Sequence, residues 1–215
     1  ALLDGGGYAD EVAVPATQVM PIPTGLTDIE AAAVPEVAAT VYSNLAMVAR
    51  LAPGQTVLIH GAGGGIGTFA IQWATAIGAR VITTAGSEAK TRAGLDMGAD
   101  VAINYRAADF VDATLAATNG RGVDAILDVV GSDYLARNIE CLAPDGHLVT
   151  IGGSTEPAPL DLGLLMSKRA SVTATMLRSR PVHQKAGIIA GVARDVLPLF
   201  EKGDVRVVID TVLPM

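Results

Sequence analysis

The sequence predicts an α/β fold built on a doubly wound parallel sheet, and two observations carry the prediction. Short β-branched, apolar segments alternate regularly with helical segments, which is the pattern of repeated βαβ units. Half of the 215 residues are hydrophobic and only 17% are charged, as expected for parallel strands that are covered on both faces. The length suffices for one complete domain and part of a second.

The first 35 residues do not follow this pattern. A glycine turn and a strand are predicted over residues 5–14, after which four prolines interrupt the chain. Thr27-Asp-Ile-Glu30 has the form of a capping box and predicts a short helix through Ala33. A helix over residues 36–51 is expected to follow. We interpret residues 1–35 as the end of another domain.

Residues 56–70 form the segment around which the prediction is organised. Thr56 to His60 is apolar and β-branched and follows the turn Pro53-Gly54, so it predicts a buried strand. Five glycines then fall between Gly61 and Gly67, and a helical period continues to Gly78. Strand, glycine turn and helix form the phosphate-binding entry of a Rossmann unit, where helix N–H groups meet a pyrophosphate.

The spacing of the glycines fixes the register of this motif. In the first possible register, Ile66 would take the last glycine position of G-x-G-x-x-G. A shift by one residue gives Ala62-x-Gly64-x-x-Gly67, so that Gly67 packs the helix against the strand. Gly64, Gly65 and the N–H group of Ile66 would then face the phosphates. The alternative is a purely structural tight turn, since a glycine cluster alone is weak evidence.

The remaining elements continue the alternation. Turn residues and periodicity predict strands at 80–84, 101–104, 124–130, 147–151 and 170–176, and helices near 87–97, 107–118, 132–142 and 182–201. Right-handed crossovers are the default for such units. Residues 205–212 predict a strand that returns to the other domain. We therefore predict a nucleotide-binding domain over residues 36–203 and a returning segment over 204–215, and we expect the chain to be part of a longer one.

Composition excludes several functions. The net charge of -7 argues against nucleic acid, whose binding depends on basic patches. No apolar run is long enough to cross a bilayer and no signal-peptide pattern opens the sequence, so we expect no membrane partner and a cytoplasmic protein. Cys141 is the only cysteine, which excludes disulfides within the chain and cysteine-cluster zinc sites.

The end of the second strand predicts which dinucleotide binds. Sites that prefer NAD place Asp or Glu there for the ribose 2′-hydroxyl, but Ala85 and Gly86 stand at this place. Ser87 and Lys90 follow at a helix N-terminus, where a 2′-phosphate gains N–H groups and an ammonium. We predict NADPH over NADH. The alternative is that Ser87 only caps the helix and Lys90 is solvated, with Glu88 offsetting the charge.

Six short segments resemble one known family when they are taken together. They are Val34-Pro-Glu-Val-Ala-Ala-Thr-Val-Tyr42, His60-Gly-Ala-Gly-Gly-Gly-Ile-Gly67, Thr84-Ala-Gly-Ser87, Ile103-Asn-Tyr105, Asp128-Val-Val-Gly131 and Met176-Leu-Arg-Ser-Arg180. The sequence resembles the quinone oxidoreductase branch of the medium-chain dehydrogenase/reductase superfamily. The last segment is most similar to the stress-inducible quinone oxidoreductase subgroup.

The resemblance implies a subunit of two domains, with the nicotinamide in a cleft between a GroES-like lobe and the Rossmann domain. Residues 1–35 would be a remnant of the GroES-like lobe. Carried over by position, the cofactor-binding residues are Gly64, Gly65 and Ile66 at the pyrophosphate; Gly86, Ser87, Lys90 and Tyr105 around the 2′-phosphate and adenosine; Val130 and Gly131 beside the adenosine and ribose; and Thr40, Ile151, Gly152 and Gly153 around the ribose and nicotinamide. Tyr105 could instead cover a sheet edge, Thr40 could be an ordinary helix residue, and the later glycines could simply end strands.

The resemblance also implies the reaction. Zinc-dependent relatives have a cysteine four residues before the position of Thr40, where this chain has Glu36, and the three histidines lack ligand spacing, so we predict a zinc-free site. Hydride would pass from NADPH to a quinone or an α,β-unsaturated carbonyl compound. No catalytic residue is assigned. The alternatives are an enal or enoyl-thioester reductase domain of a larger chain, and a non-catalytic, crystallin-like NADPH-binding protein.

The resemblance further implies a homodimer. Residues 171–176 alternate apolar and polar and follow the last parallel strands, and an exposed sheet edge is a liability unless it is paired. Family members commonly pair through this edge. Arg178 and Arg180 are interpreted as surface or interface residues rather than as substrate clamps.

Overall fold

The computed structural model describes residues 1–213, which form an α/β fold around one six-stranded sheet. The strand order is β3-β2-β1-β4-β5-β6, and every neighbouring pair is parallel. The strands are β1 (Thr56–His60), β2 (Arg80–Ala85), β3 (Val101–Asn104), β4 (Val123–Asp128), β5 (Leu142–Thr150) and β6 (Ser171–Ala174). The predicted Rossmann-type, doubly wound fold class is confirmed.

Helices cover both faces of the sheet. They are α1 (Asp28–Ala32), α2 (Val34–Val41), α3 (Gly65–Ala76), α4 (Glu88–Asp96), α5 (Phe110–Ala117), α6 (Leu135–Cys141), α7 (Leu162–Lys168), α8 (Val182–Asp195) and α9 (Leu197–Lys202). A π-helix (Tyr42–Val48) continues α2, and short 3-10 turns occupy Ala16–Gln18 and Ser132–Tyr134. No helix within residues 1–213 combines the length and the apolar character that crossing a membrane requires.

Side-chain caps explain where several helices begin. The predicted capping box is confirmed, since the Glu30 N–H group donates to Thr27 and the Thr27 N–H group donates to Glu30 Oε2 at 2.8 Å. Asp109 accepts from the N–H groups of Val111 and Asp112, so α5 begins at Phe110 rather than near residue 107. Each cap satisfies N–H groups that have no partner within the helix.

The core consists of two apolar layers, one on each face of the sheet. Leu58, Ile82 and Ile126 point into one layer, which α5 and α6 complete. Their neighbours Val57 and Val81 point into the other layer, below α2, α3 and α8. Successive strand side chains alternate between the faces. Because both faces of the sheet are buried, the strand sequences are continuous apolar runs. Because all the strands are parallel, their carboxyl ends lie at one edge of the sheet.

Two predicted strands were wrong. Residues 10–14 are mainly exposed and pair with no strand of the described chain, and strands need a partner for their backbone groups. Residues 205–212 are also irregular. There the Gln72 side chain takes the place of a neighbouring strand, accepting from the Arg206 N–H group at 2.9 Å and donating to the Arg206 carbonyl oxygen at 3.2 Å. The last two residues of the predicted 204–215 segment lie outside the described residues.

The predicted helix over residues 182–201 was also wrong in extent. It is divided into α8 and α9 because Pro198 has no N–H group to continue the helical hydrogen bonds. The predicted helix over 36–51 begins earlier, at Val34, with Pro35 in its first turn, where the lack of an N–H group costs nothing. The division into domains stays a prediction.

Candidate cofactor-binding site

A cleft of about 360 Å³ lies at the carboxyl ends of β1 and β2. Doubly wound sheets bind ligands at this edge. The glycine turn and the start of α3 form one wall, and residues after β2 and β3 form the other. The lining residues are His60, Gly61, Gly63, Gly64, Gly65, Ile66, Gly67, Ala85, Gly86, Lys90, Tyr105 and Val129. Six predicted cofactor-binding residues therefore meet here: Gly64, Gly65, Ile66, Gly86, Lys90 and Tyr105.

The glycine turn leaves the N-terminus of α3 open. A Cβ atom on Gly67 would overlap the carbonyl group of Gly61, so this glycine packs the helix against the end of β1, as the shifted register predicts. A Cβ atom on Gly65 would meet nothing within 4 Å. Gly64 provides no side-chain cap, so the first N–H groups of α3 have no helical or side-chain acceptor. This cradle fits a pyrophosphate.

Polar groups converge on Gly86 at the opposite wall. A Cβ atom there would lie 2.5 Å from the Tyr105 hydroxyl oxygen, so a larger residue would force the Tyr105 side chain to move, while Nε of Arg106 lies at an ordinary contact distance of 3.5 Å. The Lys90 stem crosses Gly63, whose Cβ position lies 2.9 Å from Lys90 Cδ. The cations and the hydroxyl group suit a phosphate. Sequence analysis missed Arg106, although its place directly after Tyr105 was a usable signal.

Ser87 has the capping role that was weighed as the alternative. Its hydroxyl oxygen accepts from the Lys90 N–H group at 3.4 Å, and Ser87 is not among the residues that line the cleft. The helix that it caps nevertheless begins beside Gly86, so Ser87 fixes the direction in which Lys90 leaves the sheet edge.

A second cleft, of about 280 Å³, continues from the first. Ile66 and Val129 line both clefts, so the two form one groove along the carboxyl edge of the sheet. The second cleft is also lined by Glu36, Thr40, Asn44, Ile151, Thr175, Met176, Leu177 and Arg178. Thr40 and Ile151, which were predicted to lie near the nicotinamide, line this second cleft, as does Arg178, which was interpreted from sequence as a surface or interface residue.

A row of polar side chains crosses the second cleft on α2 and its π-helical continuation. The hydroxyl group of Thr40, which is 7% exposed, donates to Glu36 Oε1 at 2.9 Å. Asn44, one turn further, donates to the Thr40 carbonyl oxygen at 2.7 Å and accepts from the Thr175 hydroxyl at 2.6 Å. Residues four apart lie on one helix face. That spacing was the signal from which Asn44 could have been found.

The buried carboxylate of Asp128 shapes the turn after β4. It accepts from the N–H groups of Val130 and Gly131 and from the Thr150 hydroxyl at 3.0 Å. The chain turns sharply as a result, and Val129, rather than the predicted Val130, lines the groove. The predicted strand over 124–130 accordingly ends at Asp128.

Three predicted glycines, Gly131, Gly152 and Gly153, line neither cleft. Gly131 pairs with Ser154, and a Cβ atom on Gly153 would overlap the carbonyl group of Val130. Gly152 has open space around its Cβ position and follows Ile151 at the rim. Gly131 and Gly153 therefore pack the turns after β4 and β5 against each other, and the alternative considered from sequence, that they only end strands, did not include this role.

His60 supports the glycine turn from below. Its ring nitrogens lie 2.9 Å from the Thr84 hydroxyl oxygen and 2.8 Å from Asn138 Oδ1. Burial lowers the pKa of this histidine below its usual range, because the charged form loses hydration that its hydrogen bond to Asn138 offsets only in part. The imidazole is therefore neutral near pH 7, and both nitrogens are engaged, so it is unsuited to metal binding.

The metal-ligating residues of the described chain do not fit a zinc site. Within residues 1–213, no three of the His, Cys, Asp and Glu side chains come together in a way that could hold a metal ion. Burial raises the pKa of the Cys141 thiol to about 12, whereas zinc binds the thiolate.

Comparison with known proteins adds four points. A family model described as zinc-binding dehydrogenase matches residues 65–191. A highly reducing polyketide synthase, AN6791, of Emericella nidulans is 45% identical over 151 residues, which are 68% of this chain and 6% of that protein. A quinone oxidoreductase of Pseudomonas aeruginosa is 31% identical over 206 residues, which are 95% of this chain and 63% of that protein. The chain thus spans less than two thirds of these relatives.

Solved structures of several related enzymes superpose on this fold. Escherichia coli quinone oxidoreductase complexed with NADPH has a TM-score of 0.74 at 31% identity, covering 88% of this chain and 58% of that one. CurK enoyl reductase has a TM-score of 0.75 at 28% identity, covering 89% and 57%. A 2-haloacrylate reductase has a TM-score of 0.74 at 26% identity, covering 90% and 58%.

Proposed function

The chain belongs to the zinc-binding dehydrogenase family, and we propose that it is the NADPH-binding part of a zinc-free oxidoreductase that reduces quinones or α,β-unsaturated carbonyl compounds. When bound, NADPH supplies the hydride. The continuous groove from Gly86 to Thr40 along the carboxyl edge of the sheet is the observation that carries the proposal. Its two ends offer a polar site for phosphate and a mixed apolar and polar site for the reacting groups.

We propose a mechanism without zinc because the side chains near the groove are not suited to bind a zinc ion. Glu36 stands where zinc-dependent relatives have cysteine, and its carboxylate accepts the Thr40 hydroxyl group. The nearby His60 uses both ring nitrogens in hydrogen bonds. No step of the proposed reaction therefore passes through a metal ion.

The preference for NADPH rests on the groups around Gly86. Tyr105 and Arg106 lie next to Gly86, Lys90 lines the same cleft, and β2 ends in Ala85 without the carboxylate that would repel a 2′-phosphate. We expect NADPH to bind at least about tenfold, or ~1.4 kcal/mol, more tightly than NADH. The neighbouring Glu88 opposes this preference, but it lies in the first turn of α4, where its charge interacts with the helix N-terminus.

Paired calorimetric titrations with NADPH and NADH test this proposal. Lys90→Gln and Arg106→Gln should each weaken NADPH binding while leaving NADH binding within about twofold. Lys202→Gln is the matched control, because this exposed lysine lies in α9, outside the groove-lining residues. Equal affinity for the two dinucleotides would overturn the NADPH assignment, and binding of neither, in a protein that also contains the rest of the subunit, would overturn the site.

The acceptor is proposed from the relatives. The quinone oxidoreductases favour a quinone, whereas CurK enoyl reductase and the polyketide synthase AN6791, of which this chain covers 6%, favour an enoyl-thioester reductase domain of a larger chain. Steady-state reduction of 1,4-benzoquinone and of a crotonyl thioester by the complete subunit separates them, since the favoured acceptor has the larger kcat/KM. A complete subunit that binds NADPH and reduces neither acceptor would favour the non-catalytic alternative.

We also propose that the protein forms a homodimer through β6. This strand is the last in the sheet order, so the backbone groups along its outer side have no neighbouring strand in the described chain. Pairing with a second copy would satisfy them. Light scattering at micromolar concentration should give twice the subunit mass, and a monomer would contradict the proposal.

A further inference from the structure

The loop between β6 and α8 passes over the second cleft of the groove. Thr175, Met176, Leu177 and Arg178 line this cleft. Leu177 and Arg178 also line a neighbouring cavity of about 310 Å³, between the loop and residues 2–7. Arg178 therefore lies at the boundary between the proposed reaction site and an adjoining space that could hold another part of a substrate.

Buried polar contacts hold this loop in place at both ends. At the start, the Thr175 hydroxyl donates to Asn44 Oδ1 at 2.6 Å. At the other end, the ammonium group of Lys185, which is 2% exposed, donates to the Arg178 carbonyl oxygen at 2.8 Å and pairs with Asp4. Burying a charge is unfavourable unless it is paired and hydrogen-bonded. The backbone of Arg178 is therefore fixed by interactions that specify a single geometry.

The Arg178 guanidinium is left available for a ligand. It takes part in none of the salt bridges found within residues 1–213, whereas other arginines of the surrounding region are paired, Arg169 with Asp145 and Arg194 with Asp195. No acidic residue occurs between Asp161 and Asp195. Two carboxylates line the spaces beside Arg178: Glu36 lines both cavities and accepts the Thr40 hydroxyl, and Asp4 lines the neighbouring cavity and pairs with Lys185.

We propose that Arg178 binds an oxyanion, a carboxylate or a phosphate, carried by the acceptor substrate. The proposal rests on the proposed function of the groove. Ile66, Val129, Ile151 and Met176 provide apolar contacts for the carbon skeleton of the acceptor. The planar guanidinium can then take two oxygens of the anion at once, which a lysine could not do. Arg178 determines specificity, and Lys185 and Asp4 are positioning residues.

The substrate class follows from this arrangement. An acceptor with an electron-poor alkene or quinone and a nearby negative charge would fill both the apolar cleft and the cationic boundary. A simple neutral quinone would leave the guanidinium without a partner. A carboxylate attached directly to the alkene and a phosphate at the end of a thioester arm share this chemistry, and the two can be distinguished by experiment.

Calorimetric titration of two matched pairs of ligands tests the proposal independently of turnover. The carboxylate pair is 2-chloroacrylate and its methyl ester, and the phosphate pair is crotonyl phosphopantetheine and crotonyl pantetheine. We expect the anionic member of at least one pair to bind about tenfold more tightly than the neutral member. Arg178→Gln should remove that preference. The pair that responds identifies the anion as carboxylate or phosphate.

Arg180→Gln is the matched control, because this residue is on the same loop but donates to Gln184 and lines neither cavity. The preference should survive in this variant. Equal binding within both pairs, or a preference that persists in Arg178→Gln, would overturn the proposal. NADPH titrated separately into the same samples tests the proposed function by itself, since Arg178→Gln should leave NADPH affinity within about twofold of the wild type.

Discussion

Gly67 faces the carbonyl group of Gly61 with no space for a side chain between them, since a Cβ atom on Gly67 would overlap both the oxygen and the carbon of that group. Gly65 lies two residues earlier in the same helix, and a Cβ atom on it would meet no atom within 4 Å. One short motif therefore contains a glycine that packing requires and a glycine that faces the groove at the carboxyl edge of the sheet.

Alanine at these two positions should separate stability from cofactor binding. Gly67→Ala forces α3 away from β1, and we expect a loss of roughly 1–3 kcal/mol in the free energy of unfolding, as for other overpacked sites. Gly65→Ala should keep wild-type stability but weaken NADPH binding by more than about tenfold, because the added methyl group enters the proposed phosphate cradle. Urea unfolding and calorimetric titration measure the two effects. Wild-type stability in Gly67→Ala would contradict the packing argument.

Lys168 joins α7 to the end of α6 and the start of β5. Its ammonium group donates to the carbonyl oxygens of Ile139 at 3.0 Å, Glu140 at 2.6 Å and Leu142 at 2.6 Å. Lys168→Met should cost about 1.5–3 kcal/mol of unfolding free energy, since charged hydrogen bonds to helix-end carbonyls are lost. Lys202→Met, on an exposed face, should change it by less than ~0.5 kcal/mol. Equal effects in urea unfolding would show that the three hydrogen bonds contribute nothing specific.

The buried His60 should make stability depend on pH. Burial lowers its folded-state pKa below the value of about 6.5 expected in the unfolded chain. Between these two values the unfolded chain binds a proton that the folded protein does not. Stability is therefore fully present above about pH 6.5 and is lost as the pH falls toward the folded pKa, by at most ~1.4 kcal/mol per pH unit.

Comparison of two histidine variants isolates this contribution. Burial also lowers the pKa of His147, which is less deeply buried than His60. His60→Gln should therefore flatten the dependence of unfolding free energy on pH between about 7 and 5 more than His147→Gln does. Denaturant titrations across this range measure the slopes. If the unfolding free energy of His60→Gln depends on pH as steeply as that of the wild type, His60 does not cause the pH dependence.

Cys141 should be unreactive while the protein is folded. The side chain is fully buried, and burial raises the pKa of its thiol to about 12, so almost no thiolate exists near pH 8. An aromatic disulfide reagent should detect no thiol in the native protein and one after unfolding in guanidinium. Ala116→Cys, at an exposed position of α5, is the positive control and should react at once. Rapid native labelling of Cys141 would contradict its burial.

The fold was predictable where the local sequence pattern and the tertiary contacts favour the same secondary structure. The apolar run from Thr56 to His60 and the capping box at Thr27 can each be recognised from a few consecutive residues, and both are confirmed. The resemblance to the quinone oxidoreductase branch is confirmed as well. The strand over 205–212 had an equally good pattern, but the backbone of Arg206 is paired with the Gln72 side chain, 134 positions away.

In the candidate site, the residues at the ends of neighbouring strands were predictable, but those placed by side-chain contacts were not. Gly64, Lys90 and Tyr105 come together because the carboxyl ends of neighbouring parallel strands share one edge, which sequence order alone implies. The choice between Val129 and Val130 depends on how the Asp128 side chain bends the next turn. No sequence periodicity contains that information. Asn44 and Thr175 meet only after the whole sheet has formed.

The strand order has a consequence for the chain as it leaves the ribosome. β1 obtains its first neighbour within about one βα unit, since Val57 pairs with Val81, but its second neighbour begins to pair only at Ala125. Until that residue is synthesised, the strand that ends up innermost is an open edge, with bare N–H and C=O groups on one side. Nascent chains that pause in this interval expose an apolar strand with an unpaired edge, which favours aggregation, and the docking of β4 ends that exposure.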